Sequence, residues 1–376
     1  MGDRRMARTV ARLPEGSRIT DYVSLGVIAK SFPLDRVRAV LASTGKASVR
    51  QRDLPAHVML YYAIALALYM QSSYREVLCC LLEGLQWLAD PTEGARVAGH
   101  SGISQARTRL GAAPLRLLHD ERVKPIATAA TRGAWYRQWR LVSIDGSTME
   151  VADERDNEAA FGRPGASRGD SAYPQLRFVS LVENGTHVLF GTRIGPYATG
   201  ENTLALEVLG ALDATMLCLA DRGFFGYPMW RQAAATQAKL LWRIKKNAVL
   251  PCEKRLSDGS YLSRIFASTT DRRRKRGGIV VRVIEYRLEG VTLNAAEAEA
   301  NPVYRLLSNL LDPEAAPAAE LAALYQERWE IESALDELKT PLRGARIVLR
   351  SQDPGAGAPG VLWALDGALR AARADA

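Results

Sequence analysis

Cysteine and histidine are scarce in this chain: its 376 residues include four of each. Cys79, Cys80, Cys218 and Cys252 match no zinc or redox spacing, and a reducing compartment suits them best. Cys218 lies in a strongly apolar run and reads as a buried thiol. His57, His100, His119 and His187 are scattered with no pair at helical spacing, which argues against a histidine-ligated metal site. The basic N-terminal stretch lacks the apolar core of a signal peptide, and Met6 stands where a myristoylation signal needs Ser or Thr. The most apolar run, Leu54 to Met70, contains Pro55 and His57 and falls short of the roughly 20 residues a bilayer span needs, so it reads as a core helix. These absences predict a cytoplasmic protein with no membrane partner. Two common chemistries are missing as well. Thr44-Gly45-Lys46 is no phosphate loop, because Val40 replaces the required Gly and Ala47 the required hydroxyl, and no Gly-x-Ser-x-Gly nucleophile site exists.

What the chain does have is positive charge. The formal net charge is +9 and the isoelectric point about 9.5, which points to a polyanionic partner. Hydrophobic residues make up 47% and charged residues 24%, the balance of a globular protein with a sizeable core. The length predicts two or three folding units.

From Ile19 to about Arg132 apolar residues recur at three- and four-residue spacing, as in Val58 to Met70 and Tyr74 to Leu88, which predicts an all-helical N-terminal part. The pattern changes near Trp139. Arg140 to Asp145 reads as a short apolar strand ending on a carboxylate. Leu176 to Glu183 and His187 to Ile194 read as strands, Thr203 to Leu212 as a helix, Thr215 to Asp221 as a second buried strand ending on a carboxylate, Tyr227 to Gln237 as a helix and Lys239 to Ile244 as a strand. This order predicts an α/β sheet covered by helices. Lys245 to about Leu310 is basic and β-like, as an insertion into the sheet domain would be. One long helix is expected from Pro317 to Lys339, ended by Thr340-Pro341. The predicted units are a helical N-terminal domain over 18–135, the first part of a sheet core over 139–245, a β-rich insertion over 246–302, the second part of the core over 303–365 and a short tail over 366–376.

Asp145 and Asp221, each closing an apolar strand, would sit where strands open into a cleft, although a lone Asp there usually just caps a turn. Tyr325, Arg328, Glu332 and Lys339 are spaced so that on one straight helix they fall within a sector of roughly 60°. Such a polar stripe is often only a solvated face, the role expected here of Glu327, Glu330, Asp336 and Glu337. Together, however, Asp145, Asp221 and Glu332 form an all-oxygen set suited to Mg²⁺, and three carboxylates can hold two such ions. Arg328 and Lys339 would flank Glu332 and bind phosphates, and Tyr325 would donate to a phosphate or stack on a base. The run Arg272, Arg273, Arg274, Lys275, Arg276 reads as a DNA-contacting hairpin loop, against the plainer alternative of a solvated turn. Asp153, Glu154, Asp156 and Asp170 read as surface charges, Trp242 and Trp329 as core, and Trp230 as either.

The residues Tyr325-x2-Arg328-x3-Glu332-x6-Lys339 reproduce in full a pattern that resembles the signature of the bacterial insertion sequence 4 family of DDE transposases. Ile144-Asp-Gly-Ser147 and Ala220-Asp-Arg-Gly-Phe224 look like that family's two Asp motifs, and Thr20 to Gly26 is similar to part of its N-terminal domain. The resemblance runs from about residue 18 to about 354. It implies a ribonuclease-H-like mixed sheet with a β-rich insertion and an N-terminal domain that binds DNA ends. It also implies a Mg²⁺-dependent DNA transposase, with Mn²⁺ as a substitute, that cuts and joins at terminal inverted repeats, in some members through a hairpin end. Asp145, Asp221 and Glu332 would then hold the metal, Tyr325, Arg328 and Lys339 the end of the element. Double-stranded DNA, as element ends and as target, is the implied partner, bound by a homodimer. After Arg350 to Pro354 the sequence turns Gly/Ala-rich where family members continue into a longer helix. The competing expectations are a transposition-defective copy that only binds DNA and a nuclease that cuts without joining.

Overall fold

A computed structural model describes residues 25–49, 54–68, 73, 75–79, 81, 100–166, 169, 170, 173–287 and 303–339, with side chains throughout except at 25–27, 67, 68, 100, 166, 169, 170 and 337–339. The N-terminal part is helical as expected: α1 (Leu25–Ser31), α2 (Leu34–Ser43), α3 (Ala56–Leu68), α4 (His100–Leu110) and α5 (Ala113–Arg122). The apolar run beginning at Leu54 is a core helix, with Leu60, Tyr62 and Ile64 fully buried. No helix among the described residues is long and apolar enough to cross a membrane. The expected N-terminal motif of Thr20 to Gly26 as far as Ser24, most of the helix expected over Tyr74 to Leu88, and the C-terminal tail lie outside the described residues.

A ten-stranded mixed sheet carries the rest. Its strands are β1 (Trp135–Tyr136), β2 (Trp139–Glu150), β5 (Gln175–Glu183), β6 (Val188–Pro196), β7 (Met216–Ala220), β8 (Lys239–Arg243), β9 (Lys254–Arg255), β10 (Tyr261–Ile265), β11 (Ile279–Tyr286) and β12 (Tyr304–Ser308), while β3 (Gly165–Ala166) and β4 (Gly169–Asp170) form a separate ribbon. The spatial order is β6-β5-β2-β7-β8-β12-β11-β10-β9, with β1 beside β2. β6, β5 and β2 are antiparallel neighbours, and β7 and β8 add to β2 in parallel. Three antiparallel strands followed by two parallel ones, with α7 (Glu201–Val208) and α8 (Tyr227–Ala235) in the crossovers, is the ribonuclease-H-like order. α6 (Arg155–Phe161) lies between β2 and β5 in the chain.

The basic β-like stretch is continuous with this sheet. β12 pairs with β8, and β11, β10 and β9 extend the row beyond it. A buried ion pair fixes the extension. Arg282 of β11, fully buried, pairs with Asp258 and also donates to the carbonyls of Leu310, Asp312 and Ala316. Asp258 in turn accepts from the Ala318 backbone N–H at 2.8 Å, the first residue of α10 (Ala318–Gln326). The expected basic hairpin loop is a short helix, α9 (Thr269–Arg274), N-capped by the Ser268 hydroxyl and closed by a left-handed Lys275.

The single helix expected from Pro317 to Lys339 is two helices, α10 and α11 (Trp329–Lys339). Across the joint the bonds run to the third residue back: Arg328 N–H to Tyr325, Glu330 to Glu327 and Ile331 to Arg328. The reason is that the two halves bury against different cores. Leu321, Leu324 and Tyr325 pack with Leu141, Leu217, Leu219 and Leu306 on one sheet face. Ile331, Ala334 and Leu335 pack with Met149, Leu176, Phe178 and the N-terminal helices. A straight helix cannot present one apolar stripe to both. The shared polar face deduced for Tyr325, Arg328, Glu332 and Lys339 therefore does not hold across the joint. Trp329, expected in the core, is 64% exposed at the bend, whereas Trp242 and Trp230 are fully buried and pack edge to face.

Arg282→Ala should leave the Asp258 carboxylate and three carbonyls without their donor, costing about 3–5 kcal/mol. Denaturant unfolding of the purified variant checks this; a midpoint equal to the parent's would show that the clamp holds nothing.

Candidate active site

Side chains alternate across a strand, so Leu141, Ser143 and Asp145 of β2 share one face, and Leu217, Leu219 and Asp221 share the same face of the parallel neighbour. Ile144 is in register with Ala220, which brings Asp145 and Asp221 side by side. Asp145 does not end its strand as expected. β2 runs on to Glu150 because β5 keeps pairing with it, while β7 stops at Ala220. Asp145 thus stands where β2 loses its neighbour on one side.

The Tyr325 phenol donates to the Ala220 carbonyl at 3.2 Å, which ties α10 to the end of β7. Tyr325 is only 5% exposed, and burial raises its pKa well above that of an ordinary phenol. In this arrangement it anchors the helix and offers no open ring face to a base. Arg328, 7% exposed, projects from the joint into the acidic site. It donates to Glu332 Oε1 at 3.0 Å, and its other amino group lies 3.9 Å from Asp145 Oδ2. Burial works against the Arg328 charge, but Tyr325, the Glu332 bond, Asp221 and Asp145 together outweigh it and raise its pKa. Asp221 lies 3.9 Å from Arg243 of β8, a contact not foreseen from the sequence.

The carboxylates therefore surround a guanidinium. Among the described residues no three His, Cys, Asp or Glu side chains converge as placed on one point. The donor chemistry nonetheless fits a hard divalent cation. All three acidic groups offer oxygen, and Asp221 Oδ1 is buried with no hydrogen-bond partner. Burial pushes the Asp145 carboxyl up to about 6; the Gly146 N–H and Arg328 pull it down in part, and Glu201 and Glu332 push it further up. Negative charge there is under-compensated, which is the condition an added cation relieves.

Glu201, in the first turn of α7, is a fourth acidic group that sequence reasoning missed. Its Oε1 lies 3.0 Å from where a Cβ on Gly146, the residue after Asp145, would stand. Nothing in its spacing announces this. Asp153 and Glu158 pair instead with Arg163. In the basic run Arg273, Arg274, Lys275 and Arg276 are exposed and Arg272 is half-buried. The Tyr227 hydroxyl, in the segment after Asp221, donates to the Gly277 carbonyl at 3.1 Å next to that run. The Lys339 side chain lies outside the described residues.

The raised Asp145 pKa has a thermodynamic sign. Its folded value lies above the unfolded value near 3.8, so the native state binds that proton more tightly. Stability from this group is fully present below pH 3.8 and is lost as pH rises from there through about 6, leaving a cost on the order of 3 kcal/mol at neutrality. Asp145→Asn should raise the melting temperature of the metal-free chain at pH 7.5 and change it little at pH 3, below the unfolded value; equal effects at both pH values would refute the buried-charge account.

Two family descriptions match this chain. Insertion element 4 transposase N-terminal covers residues 22–120, and Transposase DDE domain covers residues 138–354. The chain is 26% identical over 319 residues to the transposase InsG for insertion sequence element IS4 of Escherichia coli (strain K12), covering 84% of this chain and 68% of that protein. It is 27% identical over 210 residues to the putative transposase InsZ of the same organism, covering 54% of this chain and 65% of that protein. About two thirds of the length of each relative is thus spanned. A solved piggyBac transposase synaptic complex with hairpin DNA aligns at 10% identity over 94% of this chain and 72% of that one, with a TM-score of 0.41, too low to bear on the argument. With both domain families matched in order, and with the two strand-borne aspartates and the Tyr-Arg-Glu-Lys pattern inside the second, the chain belongs to the insertion sequence 4 family of DDE transposases.

Proposed function

We propose that this chain cleaves DNA at the terminal inverted repeats of an insertion sequence and joins the freed ends to target DNA, with Asp145, Asp221 and Glu332 holding two Mg²⁺ ions, for which Mn²⁺ can substitute. The observation that carries this reading is the meeting of Asp145 and Glu332 on one guanidinium beside Asp221 at the mouth of a parallel strand pair. When bound, paired Mg²⁺ ions activate a water or 3′-hydroxyl and stabilise the leaving oxygen. The chain's own groups do the remaining work. The β2–β7 register sets the two aspartates side by side, and the hydrogen bond from Tyr325 keeps α10 docked on β7. Arg328 holds Asp145 and Glu332 from one guanidinium and would bind a phosphate of the DNA in the assembled site. Lys339 adds a second phosphate contact. Cut-and-paste transfer, through a hairpin end or directly, by a homodimer on DNA completes the proposal.

Glu332→Gln should abolish cleavage of a duplex carrying the element's own end while leaving its affinity for that duplex within about two-fold. Equal cleavage by the variant removes Glu332 from the reaction. In a cell-based assay, excision by the parent chain rules out a protein that only binds DNA, and strand-transfer products on a target plasmid rule out a nuclease that cuts without joining.

The exposed run at Arg273 to Arg276 is proposed to contact the DNA backbone. Replacing these four residues by Ser should weaken duplex binding at about 150 mM salt and lower the salt slope of log K by about 0.9 for each phosphate no longer neutralised. An unchanged slope would make the run a solvated turn.

A further inference from the structure

We infer that the turn between β5 and β6, through Asn184 and Gly185, is the positioning element that fixes Arg328 and Glu332 relative to Asp145. Four polar contacts carry the inference. The Asn184 backbone N–H donates to the Leu141 carbonyl at 3.0 Å, and the Ser143 hydroxyl donates to Asn184 Oδ1 at 2.9 Å. Both β2 residues share the face that bears Asp145. From its other end Asn184 reaches out of the sheet, its Nδ2 donating to the Glu327 carbonyl at 3.4 Å. The next residue completes the grip, as the Gly185 N–H donates to Glu330 Oε2 at 2.7 Å.

These contacts hold both sides of the helix joint. Glu327 precedes Arg328, and Glu330 lies between Arg328 and Glu332. The side chain of Glu330, expected to be merely solvated, is instead two-thirds buried, with Oε2 also 4.0 Å from His187 Nε2. Ser143 and Asn184 are fully buried, so removing a partner there leaves a polar group without water.

The turn is also rigid. Glu183, fully buried, accepts from the Ile126 N–H at 2.8 Å, the Ala127 N–H at 3.0 Å and the Thr186 hydroxyl at 2.6 Å, and pairs with Arg140. Gly185 takes a left-handed φ of +81°, and an added Cβ would collide with the Arg132 carbonyl, so the chain passes here with no slack. A stiff element bonded to β2 at one end and to the joint at the other sets the distance between the strand carboxylate and the helix carboxylate.

The inference rests on the proposed carboxylate metal site, and Mn²⁺ alone is the probe. Binding of Mn²⁺ to the full DNA-free chain is followed by electron paramagnetic resonance, with melting temperatures in parallel. Asn184→Leu and Glu330→Ala should each weaken Mn²⁺ binding about ten-fold, as loss of groups that orient ligands does elsewhere. Glu330→Gln keeps an acceptor for the Gly185 N–H and should restore affinity to within about two-fold of the parent. Glu332→Gln serves as reference. If it weakens Mn²⁺ binding while Glu330→Ala does not, the positioning role is overturned and the metal site stands. If Glu332→Gln changes nothing, the metal reading falls and this inference with it. A melting temperature lowered equally by Glu330→Ala and Glu330→Gln, with Mn²⁺ affinity weakened in neither, assigns the turn to stability alone. Should Asn184→Leu fail to fold, the Glu330 pair decides the matter.

Discussion

Three carboxylates and two guanidinium groups, placed where β7 ends and β2 continues, are the constraint on which the rest of the structure depends. Like charges held close in a half-buried site repel, and the repulsion grows as water leaves. Arg328, buried and aimed at Asp145 and Glu332, offsets part of that repulsion, and Arg243 stands 3.9 Å from Asp221. Burying a guanidinium requires partners on every side, which Tyr325, Asp221 and Glu332 supply. The offset is partial: burial still holds the Asp145 carboxyl up at about 6.

That demand explains the break between α10 and α11. Arg328 must point inward at the very position where the helix passes from one core to another. On the α10 side, Leu321 and Leu324 need the sheet face formed by Leu141, Leu217 and Leu219; on the α11 side, Ile331 and Leu335 need the face shared with the N-terminal helices. A joint closed by bonds to the third residue back turns the chain between these two requirements and delivers Arg328 into the gap between them. Trp329 is left outside by the same turn.

Much of this was legible in the sequence, for physical reasons. Asp145 and Asp221 stand out because each follows a run of residues that only a buried strand accommodates, and the Tyr325 to Lys339 spacing is specific enough to name a family. The succession of strands and helices, and with it an α/β sheet, follows from apolar runs bounded by turns; the ribonuclease-H-like form of that sheet was implied by the family resemblance. The joint was not legible. Helical periodicity continues unbroken through Glu327 and Arg328, because what breaks the helix is tertiary: a carbonyl on β7 for Tyr325 and a turn after β5 for Glu327 and Glu330. Glu330 reads as one more surface acid, Asn184 as one more turn residue, and Glu201 as an ordinary first-turn carboxylate. Their roles come from what folds against them. The strands of the basic stretch were legible as strands, but not as a continuation of the main sheet, since pairing partners leave no mark in local pattern.

The added strands also bear on the site, through structure and not through chemistry. Arg282 belongs to β11, deep in the extension, yet its guanidinium holds the carbonyls just before α10, and its partner Asp258 caps the first turn of that helix. The start of α10 is thus set by the extension, its C-terminal end by Tyr325 on β7, and the joint after it by the turn following β5. Three separate parts of the sheet converge on one pair of helices. Because each acts through a buried polar contact and not through apolar packing alone, small displacements are penalised: breaking a hydrogen bond in a dry environment costs far more than slightly shifting a leucine. Directional contacts of this kind fix orientation in a way that a greasy interface does not. The carboxylate on α11 and that of Asp145 on β2 meet through the one Arg328 guanidinium, so the placement of the joint sets how the two stand.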